Sequence, residues 1–507
     1  MVFDDIVIGA GSAGAVLAAR LSEDPDRQVL LIEAGPDYPT AQQTPVGVLA
    51  TRRVPFDHDW GYTAEVVPGR RAPYPRGRLT GGSSAVNAAL ALRGLPEDYD
   101  EWALKGNDEW GWNALLPVFR QIEDDPAGDP AFHGTGGPTP VQRTPENQLT
   151  PVHAAFLRTC LGLGHPFTAD HNAPDSTGAG PGPANERDGI RISTSLAYLS
   201  KARSRPNLTI RTGCVTDRVL LSGTRVTGVG FECDGVREQA AGRRVTLAAG
   251  AVGSPAILLR SGIGPAGELA ALGIEVAADL PGVGTNLLDH AQLALSLTPP
   301  AGPADAAAPY WQTVLQWTAP GSADRNDMQS LLIHQVAQPA LRLATSLMRP
   351  HSCGVLRLAD RSPHTPPDIQ LNLASDPEDI RRLTEGLRHL CTLAASPELA
   401  AHHDGTATFD DGQVLPVANL SERFADPDSA TEHIQRTVSH YVHLVGGARM
   451  GPDSDPEAVV DQRCRVRGIE GLRVADASVM PDIPRANTHL TCVVIGERVA
   501  AWIRAEQ

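Results

Sequence analysis

The chain has 507 residues, of which 41% are hydrophobic and 20% are charged, and its 59 acidic side chains outnumber 43 basic ones to give a net charge of −16. This length predicts several domains or one large composite domain, and the composition is typical of a soluble globular protein whose core needs no disulfide or metal. The acidic balance argues against binding to nucleic acid or to an anionic membrane surface.

The first thirty residues predict a βαβ unit. Asp5–Gly9 (DIVIG) has the pattern of a short buried strand, Ala13–Ser22 has the apolar spacing of a helix, and Val29–Glu33 (VLLIE) has the pattern of a second strand. A loop rich in Pro, Tyr and Arg follows, and then helical segments around Tyr99–Phe119. Parallel strands joined by a helix indicate an α/β fold for this part of the chain.

The middle of the chain has a different pattern. Short β segments joined by turns run from Asn207 to Ala249, residues 354–373 alternate like strands, and Asp376–Ala395 predicts an amphipathic helix. The last predicted helix is Thr491–Ile503. We therefore expect a nucleotide-binding α/β part with a more antiparallel part inserted between its pieces.

The cysteines and the apolar segments suggest a location in the cell. The seven cysteines are scattered and none form a CxxC pair, which predicts reduced, buried thiols in a cytoplasmic protein. The first residues lack the basic region of a signal peptide, and no apolar run is long enough to predict a transmembrane helix. The sequence therefore predicts a cytoplasmic protein with no membrane partner.

The turn after the first strand has the fingerprint of a dinucleotide-binding loop. Gly9, Gly11 and Gly14 form a GxGxxG motif that follows a strand and opens a helix, and Glu33 lies at the end of the next strand. The helix N-terminus would stabilise the phosphates, and Glu33 would accept hydrogen bonds from the adenosine ribose. A motif of this kind binds FAD or NAD, so it does not identify the cofactor.

Five further segments follow in order. They are Gly81–Asn87 (GGSSAVN), Gly250–Gly264, His443–Gly451, Leu472–Ser478 and Asn487–Thr491 (NTHLT). Each alone is an ordinary turn or helix. Together they resemble the glucose–methanol–choline (GMC) family of FAD oxidoreductases over nearly the whole chain, and several stretches are most similar to its bacterial branch of choline dehydrogenases and hydroxymethylfurfural oxidase.

Three positions depart from the family pattern. Thr80 stands where an aliphatic residue usually precedes the glycine pair, Gly447 stands where threonine is usual, and Thr488 replaces a proline. The departure at Gly447 puts a local hydrogen bond in doubt, but it does not affect the neighbouring histidine.

The resemblance implies a particular architecture. A discontinuous Rossmann-like FAD-binding domain is expected to comprise residues 1–155, 203–294 and 437–507. Interleaved with it is an α+β substrate domain, residues 156–202 and 295–436, whose antiparallel sheet covers the flavin.

The resemblance also implies the cofactor and its contacts. FAD is expected to be bound without a covalent link, because Val86 stands where relatives with a flavin–histidine bond carry histidine. Val215 takes the position that meets adenine, and Asp476 the position near the pyrophosphate and flavin. No metal site is expected. The complete set of predicted cofactor residues is Gly9, Gly11, Ser12, Ala13, Gly14, Glu33, Ala34, Gly82, Ser83, Asn87, Ala88, Val215, Ala249, Gly250, Asp476, Ala477 and Thr488.

Two residues occupy the catalytic positions of the family. His443 would remove the hydroxyl proton of an alcohol while hydride passes to flavin N5, and oxygen or another acceptor would reoxidise the flavin. Asn487 would hold the substrate oxygen. Because some members use two histidines, His489 competes with Asn487. A structural histidine at 443 and a helix cap at 487 are the plainer alternatives.

The reaction and its substrate stay open at this stage. One alternative function is a hydroxynitrile-lyase-like enzyme whose flavin takes no part in redox chemistry. Val442 lies where relatives often place an aromatic residue, which weakens the case for a choline-like cation. Tyr310, Trp311 and Trp317 are candidates for the pocket wall, although a role in the core is the favoured interpretation.

Overall fold

The structure is a computed structural model that describes residues 2–52, 54–55, 57–300, 308–335 and 340–506. Its longer helices are Gly14–Leu21, Pro96–Leu104, Trp112–Ile122, Pro151–Gly162, Gly250–Arg260, Pro377–Ala394, Pro427–Thr437 and His489–Ala505. Within these described ranges, no helix has both the length and the hydropathy that a membrane span requires.

A seven-stranded mixed sheet forms the half that carries the predicted dinucleotide-binding loop. The predicted strand Val2–Ile8 pairs in parallel with Val29–Ile32 on one side and with Val236–Leu247 on the other. Its last four residues are buried, as expected for a strand with helices on both faces. The sheet order is Leu208–Arg211, Val29–Ile32, Val2–Ile8, Val236–Leu247, Arg225–Cys233, Cys214–Ser222, with Leu472–Val474 also paired to Val236–Leu247.

The first and last long helices pack together beside this sheet. A Cβ added at Gly496 would lie 2.8 Å from the Ala13 carbonyl oxygen, so only glycine allows the approach. The guanidinium of Arg20 forms an ion pair with Glu497, with Nε 2.9 Å from Oε2. The last helix therefore packs against the predicted dinucleotide-binding loop, although the two are nearly five hundred residues apart in the chain.

An eight-stranded, largely antiparallel sheet forms the second half. Its order is Val414–Pro416, Thr406–Phe409, Ala291–Leu297, Ala340–Leu347, Met328–Gln335, Thr313–Trp317, Gly178–Pro181, with Ser439–His440 also paired to Ala291–Leu297. One face packs on the helix Pro377–Ala394, where a Cβ at Gly386 would meet the Met328 side chain. The other face carries Leu331 and Ile333 towards the candidate site.

The described residues also form a four-stranded sheet. Its strands are Val355–Arg357, Asp368–Gln370, Thr63–Val67 and Arg70–Pro73. The α/β class with an added antiparallel sheet is thus confirmed. The domain boundaries stay a prediction, and the strand Ala291–Leu297 crosses the one expected at residue 294.

The expectation of seven reduced, buried thiols is wrong. Cys214 and Cys233 face each other on neighbouring antiparallel strands, with Cα atoms 4.3 Å apart, and form a disulfide. Cys353 is exposed, whereas the remaining four thiols are buried. The pairing depends on the register of two strands joined by a turn, and the spacing of the cysteines along the sequence does not reveal it.

Candidate active site

The GxGxxG turn is shaped by close backbone contacts. Gly9 has φ +94°, and a Cβ there would lie 2.5 Å from the Ala248 carbonyl oxygen. A Cβ at Gly14 would lie 1.9 Å from the Gly9 carbonyl oxygen. For Gly11, by contrast, the nearest heavy atom would be the Gly82 Cα, at 3.9 Å. Gly9 and Gly14 are therefore required by packing, and Gly11 leaves an open surface that a pyrophosphate can approach.

The second glycine loop lies directly against the first. The Gly81 amide donates to the Ala10 carbonyl over 2.8 Å, and a Cβ at Gly82 would lie 2.7 Å from the Gly11 Cα. Ser83 accepts a hydrogen bond from the Gly77 amide, and Asn87 accepts one from the Ala89 amide. The two predicted loops thus form one surface at the N-terminus of the helix Gly14–Leu21.

Glu33 is a buried carboxylate next to this surface. Its Oε2 accepts from the Ala10 amide at 2.8 Å, and its Oε1 accepts from the Gly35 amide at 2.9 Å. Burial raises its pKa, against the lowering effect of these hydrogen bonds. Glu33 therefore fixes the loop and keeps lone pairs for ribose hydroxyls. Its neighbour Ala34 is half-buried.

Asp476 joins the other predicted cofactor segments. Its Oδ2 accepts from the Gly250 amide at 2.8 Å and the Ser254 hydroxyl at 2.6 Å, and its Oδ1 accepts from the amide and hydroxyl of Ser478. Ala249 directly precedes the helix Gly250–Arg260, and Ala477 begins a short 3-10 helix. The Asp476 carboxylate thus holds the Gly250–Arg260 helix in place, and both of its oxygens accept hydrogen bonds from protein groups.

These features fit a bound dinucleotide. The open surface at Gly11 and the helix N-terminus, which favours anions, suit a pyrophosphate, and Glu33 suits a ribose. Ser12 and Ala13 lie in the same turn, and Val215 is buried at the start of the adjacent meander strand Cys214–Ser222. The Ala88 carbonyl accepts a hydrogen bond from Trp311 Nε1, and Thr488 directly precedes the last helix. Their contacts with FAD remain predictions.

The structure brings His443 and Asn487 together. The Asn487 amide nitrogen lies 3.0 Å from His443 Nε2. On the opposite side of the ring, His443 Nδ1 lies 3.0 Å from Nδ1 of His290. The His443 backbone amide donates to Asp289 Oδ1 over 2.9 Å. Of two consecutive residues, Asp289 therefore holds the backbone of the predicted base and His290 contacts its ring.

His489 lies elsewhere. It is buried at the start of the last helix, and its Nδ1 lies 3.0 Å from the Ser12 hydroxyl. Burial lowers its pKa to about 4. His489 lies two residues after Asn487 in the chain, and its side chain is hydrogen-bonded to the dinucleotide turn.

The electrostatic surroundings keep His443 neutral. Burial lowers its pKa well below the ordinary value, and the nearby His290, Arg76 and His440 act in the same direction. Burial likewise lowers the pKa of His290 to about 3. A neutral imidazole has a lone pair available, which a general base needs.

An apolar cluster separate from the main core lies beside this pair. It consists of Leu90, Leu92, Val314, Leu331, Ile333 and Ala486, with Tyr310, Trp311 and Tyr441 packed against it. The ring of Tyr441 lies 4.3 Å from that of His443, and its hydroxyl donates to Gln329 over 2.9 Å. Trp317 instead belongs to the main core, 4.3 Å from the ring of His389.

Sequence reasoning gave no role to the residues that support His443. Asp289 and His290 also resemble residues of the family, and that resemblance was the available signal. Tyr74 and Arg76 come from the loop rich in Pro, Tyr and Arg, and no motif marks them.

Comparisons with known proteins find related sequences and a related fold. Sequence profiles of the GMC oxidoreductase family match residues 3–292 and 350–496. A 5-(hydroxymethyl)furfural oxidase of Methylovorus sp. is 38% identical, with 98% of each chain covered. An oxygen-dependent choline dehydrogenase of Chromohalobacter salexigens is 34% identical, covering 99% of this chain and 95% of the other. The crystal structure of pyridoxine 4-oxidase from Mesorbium loti has a TM-score of 0.90 at 31% identity and covers 100% of both chains.

Proposed function

Because this chain belongs to the GMC oxidoreductase family, we propose that it oxidises a small alcohol to an aldehyde or ketone, with FAD as cofactor and His443 as the base. The observation that carries this proposal is the contact of His443 Nε2 with Asn487, 3.0 Å away, beside the apolar cluster. The alternative of a hydroxynitrile lyase is not favoured, since the relatives compared above are named as oxidases and a dehydrogenase.

In this mechanism His443 takes the hydroxyl proton of the substrate at Nε2. Its lowered pKa keeps that nitrogen unprotonated before the reaction, and the Asn487 amide donates to the substrate oxygen as negative charge develops. When bound, FAD supplies the acceptor for the hydride. The apolar cluster excludes water around the reacting carbon.

The substrate and the acceptor follow from the pocket and the relatives. The aromatic side chains of Tyr310, Trp311 and Tyr441 suit an uncharged primary alcohol with a flat apolar part. The named relatives act on hydroxymethylfurfural, choline and pyridoxine, all of which carry a primary alcohol. Oxygen is the acceptor that we propose, by analogy with the oxidases among these relatives.

The decisive experiment removes the base. We expect His443→Ala to retain FAD and to slow anaerobic reduction of the flavin by alcohol roughly 10²–10⁴-fold, the usual value of a general base. Stopped-flow absorbance, with a panel of aryl, aliphatic and amino alcohols, measures the reduction.

His351→Ala is the matched control, because this histidine is exposed and its ion pair is with Asp376, at 3.7 Å. A wild-type protein that no alcohol reduces would refute the proposed oxidation. Normal reduction of His443→Ala would refute only the choice of base.

A further inference from the structure

The residue before the candidate base has an unfavourable backbone conformation. Val442 has φ +57°, in the left-handed region. A β-branched side chain rarely adopts this region, because its branched carbon meets the backbone. Such strain persists only where the surroundings enforce it, and it concentrates at functional sites.

Hydrogen bonds hold both ends of the peptide group that follows Val442. Arg76 Nη1 donates to the Val442 carbonyl over 2.5 Å. The other end of the same peptide group is the His443 amide, which donates to Asp289 Oδ1 over 2.9 Å. The C=O and N–H of a planar peptide group point in opposite directions, so gripping both prevents the group from rotating.

The two grips are themselves connected. Arg76 Nη2 donates to the Tyr74 hydroxyl over 2.8 Å, and that hydroxyl donates to Asp289 Oδ2. Tyr74 and Asp289 are fully buried, and the Arg76 guanidinium lies over the Tyr74 ring, 4.6 Å from its centroid. These contacts close a ring from Val442 through Arg76, Tyr74 and Asp289 to His443.

We propose that Arg76 is a positioning residue for His443, which acts through Tyr74 and Asp289 to hold the strained Val442–His443 peptide and so to aim the imidazole. This inference rests on the proposed role of His443 as base. The Arg76 charge has a second effect, because it contributes to lowering the pKa of His443.

A purely structural arginine would affect stability alone. An arginine that positions His443 also affects the rate of flavin reduction, and its charge in addition affects how that rate depends on pH. The charged, titratable and polar groups that face His443 are Arg76, His290, His440, Asp289, Tyr441 and Asn487.

The first test replaces Arg76 by methionine. We expect Arg76→Met to keep FAD, to slow flavin reduction roughly 10- to 100-fold, as a small misplacement of a catalytic group does, and to move the acid limb of the pH–rate profile to higher pH. Histidine NMR titration of His443 should show the same rise of its pKa without turnover.

The matched control is Arg71→Met. Arg71 lies on the strand Arg70–Pro73, five residues before Arg76, is exposed, and pairs with Asp368 at 2.9 Å. We expect the rate and the pH profile of this variant to follow the wild type.

The second test releases the strain. Glycine adopts positive φ freely. In the Val442→Gly variant, the hydrogen bonds of Arg76 and Asp289 to the peptide group between residues 442 and 443 should therefore be less necessary. We expect the rate loss caused by Arg76→Met to be at least about threefold smaller in the Val442→Gly background, a coupling typical of residues in contact. Equal losses in the two backgrounds would overturn the proposal.

Tyr74→Phe separates the effect of positioning His443 from the effect of the Arg76 charge. It also tests the proposal if Arg76→Met fails to bind FAD. It breaks the ring of contacts and leaves the Arg76 charge in place, so we expect slower reduction with a nearly unshifted pH profile. A wild-type rate in Tyr74→Phe or in Arg76→Met would overturn the proposal. In that case, slow flavin reduction in His443→Ala would still support His443 as the base, and only the positioning role of Arg76 would be wrong.

Discussion

The two ring nitrogens of His443 have different tasks, and their neighbours fix which is which. The Asn487 amide nitrogen only donates hydrogen bonds, so His443 Nε2, 3.0 Å away, must carry the lone pair. The proton of the neutral ring is then on Nδ1, which donates to Nδ1 of His290. The basic nitrogen is therefore set before substrate arrives, and the Asn487 amide determines the tautomer.

This arrangement predicts unequal effects at positions 487 and 489. Asn487→Ala should slow flavin reduction by about 10²–10³-fold, because an amide that stabilises developing oxyanion charge is worth about 2.7–4 kcal/mol. His489→Ala should cost much less in the reduction rate and should instead weaken FAD binding, since His489 contacts Ser12.

Anaerobic stopped-flow absorbance measures the reduction rate of the two variants, and titration with FAD measures their affinity for the cofactor. Each variant is the control for the other. A large rate loss in His489→Ala beside a near-normal Asn487→Ala would reverse the assignment.

At this scale the sequence predicts the residues that lie in motifs. His443 and Asn487 were found because they lie in segments that resemble motifs of the family, and the structure places them within hydrogen-bonding distance. Arg76 and Tyr74 were not found, because their contacts with Val442 and Asp289 depend on loop geometry. The strain at Val442 has no sequence signal, since valine does not favour positive φ.

Elements with apolar periodicity could be predicted, and elements defined by their partners could not. Val29–Ile32 and the helix Pro377–Ala394 match their predicted segments closely. Gly178–Pro181 falls inside a region rich in Gly and Pro, which resembles a loop. It becomes a strand because its backbone pairs with Thr313–Trp317, a partner more than a hundred residues away.

The β-meander gives a prediction about thiols. The structure has five free cysteines beside the Cys214–Cys233 disulfide. Thiol titration of the denatured protein should therefore find five thiols before reduction and seven after it, because the disulfide yields two thiols when reduced.

Cys233→Ser provides the control, since it should leave six thiols whether or not the protein is reduced. Seven thiols in the untreated wild type would show that the pair is reduced in solution, as the scattered spacing had suggested.

On the scale of the whole molecule, a buried charge network connects distant segments. His133 contacts three carboxylates, with 2.9 Å to Glu123, 3.2 Å to Asp125 and 2.8 Å to Asp170. Arg143 pairs with the last two carboxylates. Burial lowers the pKa of His133, but hydrogen bonds to Asp125, Asp170 and Glu123 outweigh it and raise the pKa to about 10.

The network makes stability depend on alkaline pH. The folded pKa of His133 is raised above its unfolded value of about 6.5, so its stabilising contribution is complete below the unfolded pKa and is lost as pH rises through about 10. His133→Gln should destabilise the fold by about 3–5 kcal/mol at neutral pH, as breaking a buried ion pair does.

The difference between wild type and His133→Gln should shrink above the folded pKa, and thermal unfolding midpoints across pH measure it. Arg187→Ala is the control, because its exposed pair with Asp124 is worth at most about 1 kcal/mol. A constant difference at all pH values would contradict the proposed protonation of His133.

The packing of the first long helix on the last one has a consequence during synthesis. Ser12 contacts His489 and Arg20 contacts Glu497, each pair separated by 477 residues. At roughly 5–20 residues per second, a ribosome needs about 25–95 s between making the two partners. The apolar face of Gly14–Leu21 is exposed for that time, so this nascent chain should depend on a chaperone that shields its first helix until the last is released.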